Sequence, residues 1–97
     1  MVEHGIDMVV VREIQALARK HGVSKVILFG SRARGDFRPK SDIDLAVKGG
    51  DFINFSLDVD EETSTLRLFD FVDLDEAVPD ALRAVIENEG VVLYEQA

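Results

Sequence analysis

The sequence predicts a small α/β domain of the α+β kind, in which helices pack on one face of a small mixed β-sheet. Two observations support this fold class. Segments whose apolar residues recur three and four positions apart alternate with short runs rich in β-branched and aromatic residues. The chain has 97 residues, 46% of them hydrophobic and 31% charged, which is typical of a folded globular protein with one core. No internal repeat or linker interrupts the sequence, so residues 1–97 are expected to form a single domain.

The first half of the chain predicts one helix and two strands. Apolar residues with helical spacing over Ile6–Lys20 indicate an amphipathic helix, and Gly22 can supply a left-handed cap at its end. The β-branched run Val23–Phe29 predicts a buried strand that stops at Gly30. The next ten residues contain glycine and proline, so we expect at most one helical turn before a loop. A second strand is predicted over Ser41–Lys48.

The second half predicts a helix, a strand, a helix and a strand. Asp51 can cap a helix expected within residues 51–65. The run Leu66–Leu74, rich in Phe, Leu and Val, predicts the third strand. Pro79 fits the first turn of a helix that reaches about Asn88, and Val91–Tyr94 forms the last strand. The residues expected to face the core from the first of these helices are Phe52, Phe55 and Val59, joined by Leu66.

Charge and composition exclude several classes of function. Nineteen acidic against eleven basic residues give a formal net charge of −8, which disfavours direct binding to nucleic acid. Because the chain has no cysteine, it has no disulfide, no thiolate nucleophile and no zinc site built on sulfur, and it fits a reducing cytoplasm. The apolar runs are too short to span a bilayer, so no membrane partner is expected.

An acidic pair on the second predicted strand indicates a metal site. Residues two apart on a strand point to the same face, so Asp42 and Asp44 project side by side while Ile43 and Leu45 face the core. Two carboxylates held this close repel each other, and a divalent cation between them relieves the repulsion. Oxygen ligands of this kind suit Mg²⁺ or Mn²⁺, which commonly binds substrate phosphates as well.

A phosphate-binding turn is predicted at the end of the first strand. Gly30 lets the backbone approach a ligand closely, and Ser31 adds backbone and hydroxyl donors at the start of a helical turn. Arg32 and Arg34 lie beside it and could neutralise phosphate charge. Either motif alone is typical of a turn or of a solvated strand face. Together they indicate phosphoryl or nucleotidyl transfer, for which a third carboxylate would orient and deprotonate the incoming hydroxyl.

The two motifs resemble the signature of the DNA polymerase β-like nucleotidyltransferases. Residues 30–35 (Gly-Ser-Arg-Ala-Arg-Gly) and 41–45 (Ser-Asp-Ile-Asp-Leu) are most similar to those of the smallest members, the minimal nucleotidyltransferase (MNT) domains. The likeness continues through the helix that begins with proline to the final strand at 90–94 (Gly-Val-Val-Leu-Tyr). It therefore implies the polymerase β-like fold over almost the whole chain.

The resemblance also implies roles for particular residues. Gly30 and Ser31 correspond to the triphosphate-binding pair, and Asp42 and Asp44 to two metal-binding carboxylates. The family has a third catalytic and metal-binding carboxylate on a neighbouring strand. Asp70 is our first choice for it because it lies within an apolar strand. The alternatives further along the same segment are Asp73 and Asp75.

Family members use Mg²⁺ and ATP or another nucleoside triphosphate, and they transfer a nucleoside monophosphate to a hydroxyl. Similar small proteins act as antitoxins of a helical HEPN-type toxin, in some cases by adding AMP to a toxin tyrosine. The resemblance therefore implies ATP as substrate and a HEPN-type partner, and the chain could also form a homo-oligomer. The alternative is an inactive binding module that neutralises its partner by contact, which the acidic surface favours for a basic partner.

Overall fold

The computed structural model describes residues 4–96, which form a four-stranded sheet and four helices. The elements in chain order are α1 (Met8–Lys20), β1 (Lys25–Phe29), α2 (Ser31–Arg34), β2 (Ile43–Lys48), α3 (Phe52–Glu62), β3 (Phe69–Asp73), α4 (Asp80–Glu89) and β4 (Val91–Glu95). The strand order is β3-β2-β1-β4. β1 is antiparallel to both β2 and β4, whereas β2 and β3 are parallel. The sheet is therefore mixed, and the predicted fold class is confirmed.

Local signals position the helix ends as the sequence predicts. The Asp51 carboxylate accepts a hydrogen bond from the backbone N–H of Asn54, which caps the start of α3. Gly22 follows the last turn of α1 with φ +68°, a left-handed conformation that costs glycine little. Pro79, which the sequence placed in the first turn, lies one residue earlier, at the N-cap of α4.

Both faces of the sheet are covered, by different helices. The sequence predicted helices on one face alone, and this detail is wrong because α4 covers the other face. α1 and α3 pack on one face and bury a large cluster with alternate strand residues such as Val26 and Leu45. α4 lies over the other face, where Ile86 packs with Phe29 and Ala46 in a smaller cluster. α4 therefore covers only the middle part of this second face.

Several element bounds differ from the sequence expectations. The first helix begins at Met8 rather than Ile6, and the first two strands begin at Lys25 and Ile43 rather than at Val23 and Ser41. The third strand begins at Phe69 rather than Leu66, because pairing with β2 starts where Phe69 lies beside Ile43. Leu66 is 91% exposed and does not join Phe55 and Val59 in the core. In residues 4–96 no helix has both the length and the apolar character needed to cross a membrane.

Candidate active site

The topology brings the predicted acidic residues to one end of the sheet. The last residue of β1, Phe29, pairs with Asp44 near the start of β2. In the parallel pairing of β2 with β3, Asp44 lies directly beside Asp70. Asp42 immediately precedes β2, so it is two residues from Asp44 and on the same face. This face is the one that α4 partly covers.

The three carboxylates interact electrostatically. Burial raises the pKa of Asp44 above its ordinary value, and the negative charges of Asp70 and Asp42 raise it further. A protonated Asp44 also hydrogen-bonds Asp70, which favours the neutral form. The positive charge of Arg34 acts in the opposite direction. The site therefore concentrates negative charge that is stabilised by a proton or a cation.

Gly30 lies against the Asp44 carboxylate. Its φ of +77° is strained for any residue with a side chain. A Cβ atom built there would collide with Oδ2 of Asp44. Both the backbone conformation and the close approach therefore require glycine at this position, which places the backbone turn next to the acidic group.

Ser31 and Arg34 lie on the short helix that follows Gly30. Ser31 is the first residue of α2, so its backbone N–H is among those without a partner inside the helix. Arg34 is exposed, its Nε lies 3.4 Å from Oδ2 of Asp36, and its charge reaches Asp44. An exposed ion pair of this kind is weak, so the guanidinium can turn toward a phosphate.

Arg32 has a different position from the one that the sequence predicts. Only 2% of it is exposed, and its guanidinium is used inside the protein. Nε and Nη2 both donate to the carbonyl oxygen of Ser41, at 3.1 and 2.9 Å. Nη2 also donates to the Pro39 carbonyl and Nη1 to that of His4, and the group stacks on the Phe37 ring. The assignment of Arg32 to nucleotide binding is therefore corrected: it holds the loop that leads to the acidic site.

The helical phase explains this difference between the two arginines. Residues two apart on a helix point to nearly opposite sides, so Arg32 and Arg34 cannot both face the same ligand. The spacing of two residues is visible in the sequence, but it does not determine which of the two arginines points into the protein. Because Arg32 binds the carbonyl of Ser41, it anchors the backbone immediately before Asp42.

The two alternative carboxylates are used elsewhere. Asp73 is three residues beyond Asp70 on β3, so it lies on the opposite face and about 10 Å away. Its Oδ1 accepts from the backbone N–H of Asp75, at 3.0 Å. Asp75 in turn accepts from the N–H of Gly49 at 2.7 Å. Both side chains therefore stabilise the turn at the far end of the sheet, and of the three candidates only Asp70 lies beside Asp44.

The donor set of this site suits magnesium. Within residues 4–96 no three acidic or histidine side chains are arranged as a closed group of metal ligands. Mg²⁺ does not require one, because it commonly binds one or two carboxylates and completes its shell with water and substrate phosphates. The repulsion that raises the pKa of Asp44 is the repulsion that such a cation relieves.

Comparison with known families gives a match over most of the chain. The model of the family described as "Polymerase beta, Nucleotidyltransferase" matches residues 12–97. This range includes the glycine turn and all three acidic residues of the site. A Methanocaldococcus jannaschii protein provisionally named a protein adenylyltransferase is 33% identical over 78 residues, which are 78% of this chain and 67% of that protein.

Solved structures with the same fold include components of toxin–antitoxin complexes. A chain of a toxin–antitoxin structure with AMP-PNP superposes with a TM-score of 0.71 and 24% identity, over 89% of this chain and 73% of that one. A chain from a complex of a tri-AMPylated Shewanella oneidensis HEPN toxin with its MNT antitoxin gives a TM-score of 0.67 and 21% identity, over 94% and 74%. At these identities the likeness shows the fold.

Proposed function

Because the chain belongs to the polymerase beta nucleotidyltransferase family, and is a nucleotidyltransferase, we propose that it transfers AMP from Mg-ATP to a protein hydroxyl. The observation that carries the proposal is the position of Asp44 beside Asp70 and against Gly30. The provisional name of the 33% identical relative supports adenylyl transfer to a protein.

The glycine turn and Arg34 bind the triphosphate. Gly30 has no side chain between the backbone and the acidic group, so a phosphate can approach both. Ser31 supplies a backbone N–H and a hydroxyl as donors, and Arg34 supplies positive charge. Arg32 acts indirectly, because its hydrogen bonds to the Ser41 carbonyl position Asp42.

The three carboxylates divide between metal binding and activation of the acceptor. Asp42 and Asp44 would hold Mg²⁺, and Asp70 completes the acidic group. When bound, the metal neutralises phosphate charge and polarises the α-phosphate. Asp70 accepts the proton of the acceptor hydroxyl while the oxygen of that hydroxyl attacks the α-phosphorus. The bond from that phosphorus to the bridging oxygen breaks, and pyrophosphate leaves with the electron pair.

The acceptor we propose is a tyrosine of a HEPN-type toxin, so that transfer neutralises the toxin. Support comes from the shared fold of the MNT antitoxin bound to a tri-AMPylated HEPN toxin. The net charge of −8 favours contact with a basic partner and also supports neutralisation by binding alone.

Label transfer from ATP tests the enzymatic proposal. With ATP labelled at the α-phosphate, Mg²⁺ and the HEPN-type partner, we expect labelled partner, whereas γ-labelled ATP gives none. Asp44→Asn and Asp70→Asn should each lower the rate by about 100-fold or more. Asp73→Asn is the matched control, because this carboxylate faces away, and it should retain most activity. Absence of label with the unchanged protein, or full activity of Asp44→Asn, would reject the enzymatic role.

A double variant separates catalysis from contact. Asp42→Asn combined with Asp44→Asn should leave the partner bound, because both side chains lie at the acidic site and not in the core. If neutralisation requires AMP transfer, this variant binds the toxin without protecting against it. If the double variant protects against the toxin as well as the unchanged protein does, contact alone is sufficient to neutralise the toxin.

A further inference from the structure

A cavity lies on the same sheet face as the acidic residues, at the other end of the strands. Its volume is about 180 Å³, and it opens between the start of β1, the end of β2 and one side of α4. The residues that line it are Lys25, Ile27, Lys48, Leu74, Arg83, Ile86 and Glu87. It contains none of the residues assigned to nucleotide transfer.

The cavity gathers positive charge in an acidic protein. Lys25 and Lys48 are directly opposite each other in the antiparallel pairing of β1 with β2. Like charges in such a pair destabilise a sheet. Arg83 adds a third cation from α4, against the single carboxylate of Glu87. Three of the eleven Lys and Arg residues of a chain with net charge −8 therefore line one cavity.

Little of this charge is neutralised by ion pairs. Lys25 Nζ lies 3.6 Å from Oε2 of Glu95 at the rim. Among residues 4–96, Lys48 and Arg83 form no ion pair. Arg83 donates one hydrogen bond, from Nη2 to the Leu74 carbonyl at 3.4 Å, which leaves further donors of its guanidinium available. The two cations can therefore bind an anion from outside the chain.

The floor of the cavity is apolar. Ile27 and Ile86 belong to the cluster between the sheet and α4, and Leu74 closes one side. An apolar cavity of roughly 150 Å³ accommodates benzene, so this one has room for a body of that size. We propose that the cavity binds a small organic anion that joins a flat or short apolar body to one carboxylate or phosphate group.

This site is separate from the candidate active site. Lys25 and Phe29 are at opposite ends of β1, four residues apart, which is about 13 Å along a strand. α4 covers the sheet between them with Ile86. A ligand of benzene size in the cavity therefore does not reach Asp44.

Titration with matched charged and neutral probes tests the proposal. Amide chemical shifts of the ¹⁵N-labelled protein are followed as benzoate, phenyl phosphate, benzamide or inorganic phosphate is added. We expect saturable shifts confined to residues around the cavity with benzoate or phenyl phosphate, with a dissociation constant in the millimolar range. Benzamide lacks the charge and inorganic phosphate lacks the apolar body, so both should bind at least about tenfold more weakly.

Variants of the cavity distinguish a specific site from general attraction of anions. Lys48→Met and Arg83→Met should each weaken benzoate binding by about threefold to fivefold, and Glu87→Gln should tighten it. Arg12→Met removes an exposed cation on α1, away from the cavity, and should leave the affinity unchanged. Equal binding of benzamide, or unchanged affinity in the combined Lys48→Met and Arg83→Met protein, would overturn the proposal. If only phenyl phosphate binds, the ligand is a phosphate ester; if only benzoate binds, it is a carboxylate.

Discussion

Replacing Asp44 by asparagine should stabilise the metal-free protein while it removes activity. The asparagine side chain keeps the shape of the aspartate but carries no charge, so the repulsion from Asp70 and Asp42 disappears. Neighbouring strands are about 4.8 Å apart, and two unit charges about 5 Å apart at an effective dielectric constant of 20 repel by about 3 kcal/mol. Since Asp70 is exposed, solvent screens much of this repulsion, and a gain of about 1 kcal/mol is expected.

The pH dependence identifies the cause of this gain. Because the pKa of Asp44 is raised in the folded state, the folded protein binds more protons than the unfolded chain between the ordinary pKa and the raised one. The charged Asp44 carboxylate therefore lowers the free energy of unfolding by its full amount only at pH values above the raised pKa. This effect disappears as the pH falls to the ordinary value, so the variant and the unchanged protein should converge in stability at about pH 3.

Thermal unfolding followed by circular dichroism in the presence of a chelator measures the effect. At pH 7 the Asp44→Asn protein should melt about 4–8 °C above the unchanged protein. Added Mg²⁺ should raise the melting temperature of the unchanged protein more than that of the variant, because binding to the folded state stabilises it. Asp73→Asn, whose amide oxygen can still accept from the backbone N–H of Asp75 and which removes no charge beside Asp44, should give no increase. A melting temperature of Asp44→Asn at or below that of the unchanged protein would refute the repulsion argument.

Three further predictions concern single contacts. Gly30→Ala should destabilise the fold by about 1–3 kcal/mol and abolish label transfer, because its positive φ and its contact with the acidic group both exclude a side chain; normal activity would contradict this. Arg32→Met should lower the free energy of unfolding in urea by about 3 kcal/mol, whereas Arg34→Met should leave stability unchanged and raise the KM for ATP; the reverse pattern would restore Arg32 as the phosphate ligand. His21 Nε2 lies 2.6 Å from Oδ2 of Asp58, and this hydrogen bond lowers the pKa of the Asp58 carboxyl. The folded protein therefore loses stability as the pH falls through that lowered pKa. Asp58→Asn should flatten this acid dependence of the melting temperature, and an unchanged pH profile would contradict it.

Periodicity and end signals were sufficient to predict the elements of this fold. The helix cap at Asp51 and the break after Phe29 depend on neighbours in the sequence, and the structure confirms both. The placement of α4 could also have been inferred. The run from Val26 to Phe29 is apolar at every position, which is typical of a strand covered on both faces. The helices on one face alone would have left Ile27 and Phe29 exposed.

The site was harder to predict because it depends on contacts between distant segments. The position of Asp44 on the same face as Asp42 follows from strand alternation alone. The position of Asp44 beside Asp70 depends on the parallel register of β2 and β3. The residues of these two strands do not by themselves determine that register. The orientation of Arg32 depends on backbone carbonyl groups of a loop. Every residue has such a carbonyl, so the residue types of the loop do not reveal these partners.

The face of the sheet under α4 carries like charges at both of its ends, and this arrangement has a common physical explanation. Asp44 lies beside Asp70 at one end, and Lys25 opposite Lys48 at the other. Each pair brings like charges together, with Glu95 offsetting part of the charge of Lys25, and neither pair is needed to build the core, because apolar side chains fill the sheet between them. Unfavourable local choices of this kind are expected where a protein binds a ligand of opposite charge. A cation at the acidic end and an organic anion at the basic end would each relieve one repulsion, and the roughly 13 Å between the two ends allows the domain to bind both at once.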